Sequence, residues 1–129
     1  MNTLRLPLLL RFLQSLDFPH KLGIMERVFG RWLSPKGIVW VQTGGGIPWK
    51  LNLAYAPNRW IVYGKYEGGG FLNWAKRFLR PTSLVVDSGA NIGQMLLYLA
   101  QWVPQGRVFA FEPGAFQAGW LRECLEHHP

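Results

Sequence analysis

The stretch Leu84-Val85-Val86-Asp87-Ser88-Gly89-Ala90-Asn91-Ile92-Gly93 decides the fold class. Its first three residues are a short continuous apolar run, the pattern of a strand buried on both faces of a parallel sheet. Asp87 closes that strand. Gly89 permits a tight turn and close approach of a ligand to the backbone, and Gly93 opens a helix and lets it pack near the strand. The helix runs from Gly93 to Trp102 and breaks at Pro104 and Gly106. Arg107 to Phe111 reads as a second buried strand, and Ala115 to His127 as a second helix. Strand, helix, strand, helix in that order predicts parallel strands joined by a right-handed crossover, hence an α/β fold.

Upstream of Pro81 the pattern changes. Residues 1–33 read as helical, interrupted near Phe18-Pro19-His20. Gly37 to Val41 reads as a strand and Gly44-Gly45-Gly46 as a turn. Trp49 to Tyr55 alternates, with Trp49, Leu51, Leu53 and Tyr55 on one face and Lys50 and Asn52 on the other, as in a half-buried antiparallel strand. Pro57-Asn58 turns the chain, and Trp60 to Tyr63 is expected to return as the partner strand of a β-hairpin. Phe71 to Leu79 reads as a helix. The expected organisation is residues 1–80 as N-terminal helices and an antiparallel β-hairpin. They lead into residues 81–129, the first two strands of a parallel sheet with their helices.

With 129 residues, 49% apolar and only 16% charged, the chain is not a disordered tail. Its single cysteine, Cys124, excludes a disulfide scaffold and a cysteine zinc cage. The net charge of +7 is uneven: residues 1–83 carry twelve Lys/Arg against three Asp/Glu, whereas residues 84–129 carry two against four. The basic residues are scattered singly, with no dense tract, so no nucleic-acid partner is expected. The apolar run from Leu4 to Leu16 contains Pro7 and Arg11 and falls short of the roughly 20 residues a membrane span needs. No small-x-small cleavage site follows it, as a signal peptide requires. Leu6, Leu9, Leu10, Leu13 and Leu16 instead form one face of a short helix. Packing on its own domain is expected of that face, with weak peripheral contact to a membrane surface as the alternative.

The loop after the first parallel strand carries the chemistry. A crevice at the carboxyl ends of parallel strands is where open α/β sheets bind ligands. Nineteen residues after Gly93 the second strand ends in Glu112, placed to grip both hydroxyls of a ribose. A dinucleotide site needs Gly-x-Gly-x-x-Gly, and here Asn91 stands in place of the middle glycine. Asp87 would also repel a pyrophosphate, but attract S-adenosylmethionine, whose sulfonium and ammonium are positive. A P-loop is excluded, because no Gly-Lys-Ser/Thr follows the glycines. Two ordinary roles stand beside these: Asp87 as a helix cap, and Glu112 as a solvent-facing residue before Pro113.

The segment Asp87-Ser88-Gly89-Ala90-Asn91-Ile92-Gly93, followed by Gly106-Arg107-Val108-Phe109-Ala110-Phe111-Glu112-Pro113, resembles the FkbM family of methyltransferases. These are class I, Rossmann-like, S-adenosylmethionine-dependent enzymes. Tyr66-Glu67 looks like that family's upstream segment, and the resemblance covers roughly residues 50–127. Ser88 replaces the usual aliphatic residue, and Gln94-Met95 the usual aromatic pair. The resemblance implies that Asp87 sits near the methionine part of S-adenosyl-L-methionine. Gly89 and Ala90 supply backbone at the cofactor, Asn91 braces the loop or touches the methionine end, Gly93 belongs to the same cofactor-binding loop, and Glu112 holds the ribose diol. Glu67 either lines the site or pairs with Lys65 or Arg77. The implied reaction is O-methyl transfer to a carbohydrate or small-molecule hydroxyl.

Only two of about seven sheet strands fit in this chain, so the sequence reads as an N-terminal portion, inactive alone, prone to self-association and cytoplasmic. The rival readings are a small non-catalytic nucleoside-binding or protein-interaction module and a basic peripheral protein.

Overall fold

The computed structural model of the chain describes residues 3–43, 46–65 and 69–127. The chain divides into two compact units, Met1–Tyr66 and Glu67–Pro129.

In the first unit β1 (Thr3–Leu4) pairs in parallel with β2 (Ile38–Gln42), which pairs antiparallel with β3 (Pro48–Asn52). The β2–β3 register sets Val39 against Leu51 and Val41 against Trp49, all four buried. The alternation expected from Trp49 holds through Leu53, but Tyr55 lies outside the strand and is exposed. Helices α1 (Leu8–Ser15), α2 (Lys21–Met25) and α3 (Arg31–Leu33) precede β2, with a π-helical turn over Glu26–Gly30 and a 3-10 turn over Ser34–Lys36.

The expected hairpin is corrected in its partner. Trp60 to Tyr63 is not a strand: Trp60, Ile61 and Val62 belong to helix α4 (Ala56–Val62), and β3 pairs with β2. Pro57 sits in the first turn of α4, where its missing N–H costs nothing. Asn58, Arg59, Ile61 and Val62 are buried at helical spacing. Arg59 locks the helix in place. Its Nε donates to Glu26 Oε1 and Oε2 at 3.0 and 3.1 Å, and its Nη1 donates to the carbonyls of Leu53 and Ala54 at 2.7 and 3.1 Å. The Tyr63 hydroxyl donates to Glu26 Oε2 at 2.9 Å.

The face expected of α1 is also corrected. Leu6 and Leu10 are buried and Leu13 is half-buried, but Leu9 and Leu16 are exposed.

In the second unit the order is α5 (Gly69–Ala75), β4 (Leu84–Ser88), α6 (Leu96–Trp102), β5 (Arg107–Phe111) and α7 (Ala115–Leu125). Helix α5 falls in this unit, whereas the sequence pattern set the division after residue 80. Strands β4 and β5 are parallel, in register from Leu84↔Arg107 to Ser88↔Phe111, as the strand–helix–strand order predicts. A small core of Ala90, Leu96 and Leu121, with Val108 against it, fills the side where the helices pack.

The expectation that these strands are buried on both faces is corrected. Leu84 and Val86 are 67% and 60% exposed, and Phe109 and Phe111 are 44% and 60% exposed. Among the described residues the sheet has two strands, and this second face is left largely exposed. No helix among the described residues is long and apolar enough to cross a membrane.

Candidate functional site

The candidate residues gather at the carboxyl ends of β4 and β5. The loop after β4 is held by β5. The amides of Gly89 and Ala90 both donate to the Phe111 carbonyl, at 2.8 and 3.1 Å. Asn91 adopts a left-handed φ of 50°, a conformation that Asn tolerates better than most side chains. That turn brings its amide to Glu112 Oε2 at 2.8 Å. The other carboxylate oxygen, Oε1, accepts the Gly114 amide at 2.7 Å. Glu112 is thus half-buried and bonded on both oxygens, not a solvent-facing residue.

Gly93 has φ 89°, and a Cβ there would lie 2.7 Å from Leu121 Cδ1 and 3.4 Å from Leu97 Cγ. Its close approach is therefore to α7 and to Leu97, not to a strand. Regular helix begins at Leu96 rather than at Gly93, since residues 91–95 are turns. Gly89, with φ 82°, has open space where a Cβ would stand, so a ligand can reach its backbone. Ala90 is different: its side chain belongs to the buried core and its amide is spent on Phe111.

Asp87 follows another logic. Helix α6 has Met95 at its N-cap with no side-chain cap, so Asp87 does not serve as one. Asp87 Oδ2 is buried and has no hydrogen-bond partner among the described residues. Burial pushes its carboxyl above the ordinary value. It lines a cavity of about 470 Å³ together with Ser88, Met95, Phe71, Trp74 and Phe78. The last three form a ladder with ring centroids 5.6 and 4.9 Å apart. Trp74, 56% exposed, thus forms part of the wall of this cavity. The signal was present in the i, i+3, i+7 spacing of Phe71, Trp74 and Phe78.

Glu112 lines a second cavity, of about 770 Å³, between α6 and α7, with Arg107 and Arg122. The structure therefore joins Gly89, Ala90, Asn91 and Glu112 in one hydrogen-bonded loop, and sets Asp87 on a different cavity. Both acids still stand at the tips of neighbouring strands, with Ser88 opposite Phe111 in the register. Glu67 lies outside the described residues. Lys65, one of its suggested partners, pairs with Asp17 at 2.6 Å.

No family model and no solved structure matches the chain. A stretch of 35 residues, 27% of the chain, is 54% identical to part of the AMB antimetabolite synthetase AmbE of Pseudomonas aeruginosa. The matched stretch spans about 2% of that synthetase's length.

The donor set can be tested against the expected cofactor. A half-buried carboxylate with one buried, unpartnered oxygen suits a cationic group and would repel a phosphate. The amides of Gly89, Ala90 and Asn91, which could otherwise cradle a pyrophosphate, are each bonded to Phe111 or Glu112. Each Glu112 oxygen accepts one amide and keeps a second lone pair, enough to accept a ribose hydroxyl. This donor set suits a cationic group at Asp87 and a hydroxyl donor at Glu112 better than it suits a pyrophosphate. Among the described residues no cluster of His, Cys, Asp and Glu could hold a metal ion.

Proposed function

We propose that the chain carries the nucleoside-binding portion of a Rossmann-like, S-adenosylmethionine-dependent methyltransferase similar to the FkbM family, acting on a carbohydrate or small-molecule hydroxyl. The observation that carries this reading is the buried, unpartnered Oδ2 of Asp87 at the tip of a parallel strand, one strand away from Glu112. Asp87 would hold the positive end of the cofactor. Gly89 would admit it to the backbone. Asn91 and Gly93 would keep the loop in its left-handed turns, and Glu112 would accept the ribose hydroxyls. The bound cofactor would supply an activated methyl group.

The test is calorimetric titration of the 129-residue chain with S-adenosylhomocysteine, adenosine and NADH. The expected order is S-adenosylhomocysteine tightest, adenosine weaker, and NADH not bound. Asp87→Asn should weaken S-adenosylhomocysteine about 10-fold or more, the worth of a hydrogen bond to a charged group, and leave adenosine unchanged. Equal affinity for S-adenosylhomocysteine and adenosine would favour a non-catalytic nucleoside-binding module. Absence of S-adenosylhomocysteine binding would refute the reading.

A further inference from the structure

The first unit has an outer surface whose chemistry the second unit does not explain. Its residues, 1–66, hold nine Lys/Arg and two Asp/Glu, so the whole net charge of +7 sits on them. Both acids are committed to ion pairs: Asp17 to Lys65, and Glu26 to the Arg59 guanidinium. Arg5, Arg11, Arg27, Arg31 and Lys36 are all exposed.

These cations lie among exposed apolar side chains. On α1, Leu10 is buried, and Leu8, Leu9 and Phe12 fan over the outer face at 80%, 58% and 63% exposure. Arg11 flanks them, one residue before Phe12. A groove of about 910 Å³ beside this face is lined by Arg5, Arg11, Gln42 and Thr43, next to Leu8 and Phe12, and no carboxylate among the described residues lines it. Farther along, Ile24, Val28 and Trp32 are exposed at i, i+4 and i+8, alternating with Arg27, Arg31 and Lys36. The Lys36 ammonium lies 5.2 Å from the centre of the Trp32 ring.

We propose that α1 and the Arg5–Arg11 groove dock on an anionic lipid bilayer. Eight residues of α1 cannot cross a bilayer, but a short helix with an apolar outer face and flanking arginines suits the headgroup–acyl boundary. Leu8, Leu9 and Phe12 enter the acyl region, while Arg5 and Arg11 take lipid phosphates in the groove. A nucleic acid would match the charge but not the aliphatic side chains, which neither stack on bases nor bond to phosphate. A second copy would match the apolar face but bring two surfaces of like charge together. The proposal is independent of the reading of the second unit.

The experiment is co-sedimentation of the purified chain with vesicles of phosphatidylcholine alone and of phosphatidylcholine with phosphatidylglycerol. The expected result is binding to the anionic vesicles only, released at 0.5 M salt, where screening is short-ranged, about 4 Å. Arg11→Glu should lower the partition coefficient about 5-fold or more, and Phe12→Glu about 10-fold or more. Arg77→Glu, the same charge change on the second unit, should leave it within 2-fold. Circular dichroism of both test variants should match the parent, since positions 11 and 12 are exposed. Equal binding to both vesicle types, or anionic binding indifferent to Arg11→Glu and Phe12→Glu, overturns the proposal. Binding to a duplex oligonucleotide without vesicle binding overturns it in favour of a nucleic acid. A dimer abolished by Phe12→Glu, without vesicle binding, overturns it in favour of self-association.

Discussion

Replacing Glu112 by Ala removes the carboxylate that accepts two loop amides, Asn91 at 2.8 Å and Gly114 at 2.7 Å. Hydrogen bonds to a charged group contribute about 1.5–3 kcal/mol each when well shielded. Glu112 is only half-buried and Asn91 is exposed, so water recovers part of that loss. A local cost of about 2 kcal/mol for the pair of bonds is a reasonable magnitude. That corresponds to about 30-fold faster opening of the loop. Amide hydrogen exchange read residue by residue measures it directly. Asn91 and Gly114 should exchange about 30-fold faster in Glu112→Ala, and about 5- to 10-fold faster in Glu112→Gln, which keeps an acceptor without the charge. The amide of Leu97, bonded to the Gly93 carbonyl at 3.1 Å, is the internal reference and should move little. Unchanged exchange at Asn91 and Gly114 would refute the bracing role assigned to Glu112.

Three further outcomes follow from single residues. Gly93→Ala should cost the second unit about 2–4 kcal/mol, from left-handed strain and the 2.7 Å approach to Leu121, and in a double-mutant cycle its cost and that of Leu121→Ala should sum to more than the cost of the double variant in a denaturant series. Asp87→Asn should raise the melting temperature at pH 7 but not near pH 3. A carboxyl with a raised folded pKa binds its proton more tightly in the folded state, so its burial costs stability as pH rises through that value. Arg59→Ala should destabilise the first unit by about 3 kcal/mol, because it strands Glu26 and the carbonyls of Leu53 and Ala54. The Arg59 guanidinium, and then the Tyr63 hydroxyl, hold the Glu26 carboxyl below its ordinary 4.5. This contribution is complete above that value and is lost as pH falls through the lowered one, so Arg59→Ala should flatten the acid limb of a stability–pH curve.

The parts of the fold legible in the sequence are those fixed by short-range order. The β4–loop–α6–β5–α7 series was readable because apolar runs, Gly89, Pro104 and Gly106 punctuate it at the spacing of a crossover unit. What resisted reading depended on distant partners. Trp60-Ile61-Val62-Tyr63 has strand-forming side chains, yet Arg59 reaching Glu26 across 33 residues favours a helix there. Both strands of the true hairpin, Ile38–Gln42 and Pro48–Asn52, were recognisable separately, and only their pairing was missed. Leu84 and Val86 looked buried because an apolar run records suitability for burial, whereas burial itself needs a covering layer. At the site, the placing of Asp87 and Glu112 at neighbouring strand tips was legible. Their division between two cavities was not, because it depends on where α5 packs its aromatic ladder.

The central claim is that the strand tips of the second unit bind the nucleoside and the cationic portions of one ligand. The most direct measurement is amide chemical-shift mapping of the whole chain during titration with S-adenosylhomocysteine. The account predicts saturable shifts concentrated at residues 87–93 and 110–114 and in the Phe71–Phe78 segment, with residues 3–65 unmoved. Shifts confined to residues 3–65, or none at saturating ligand, would contradict it.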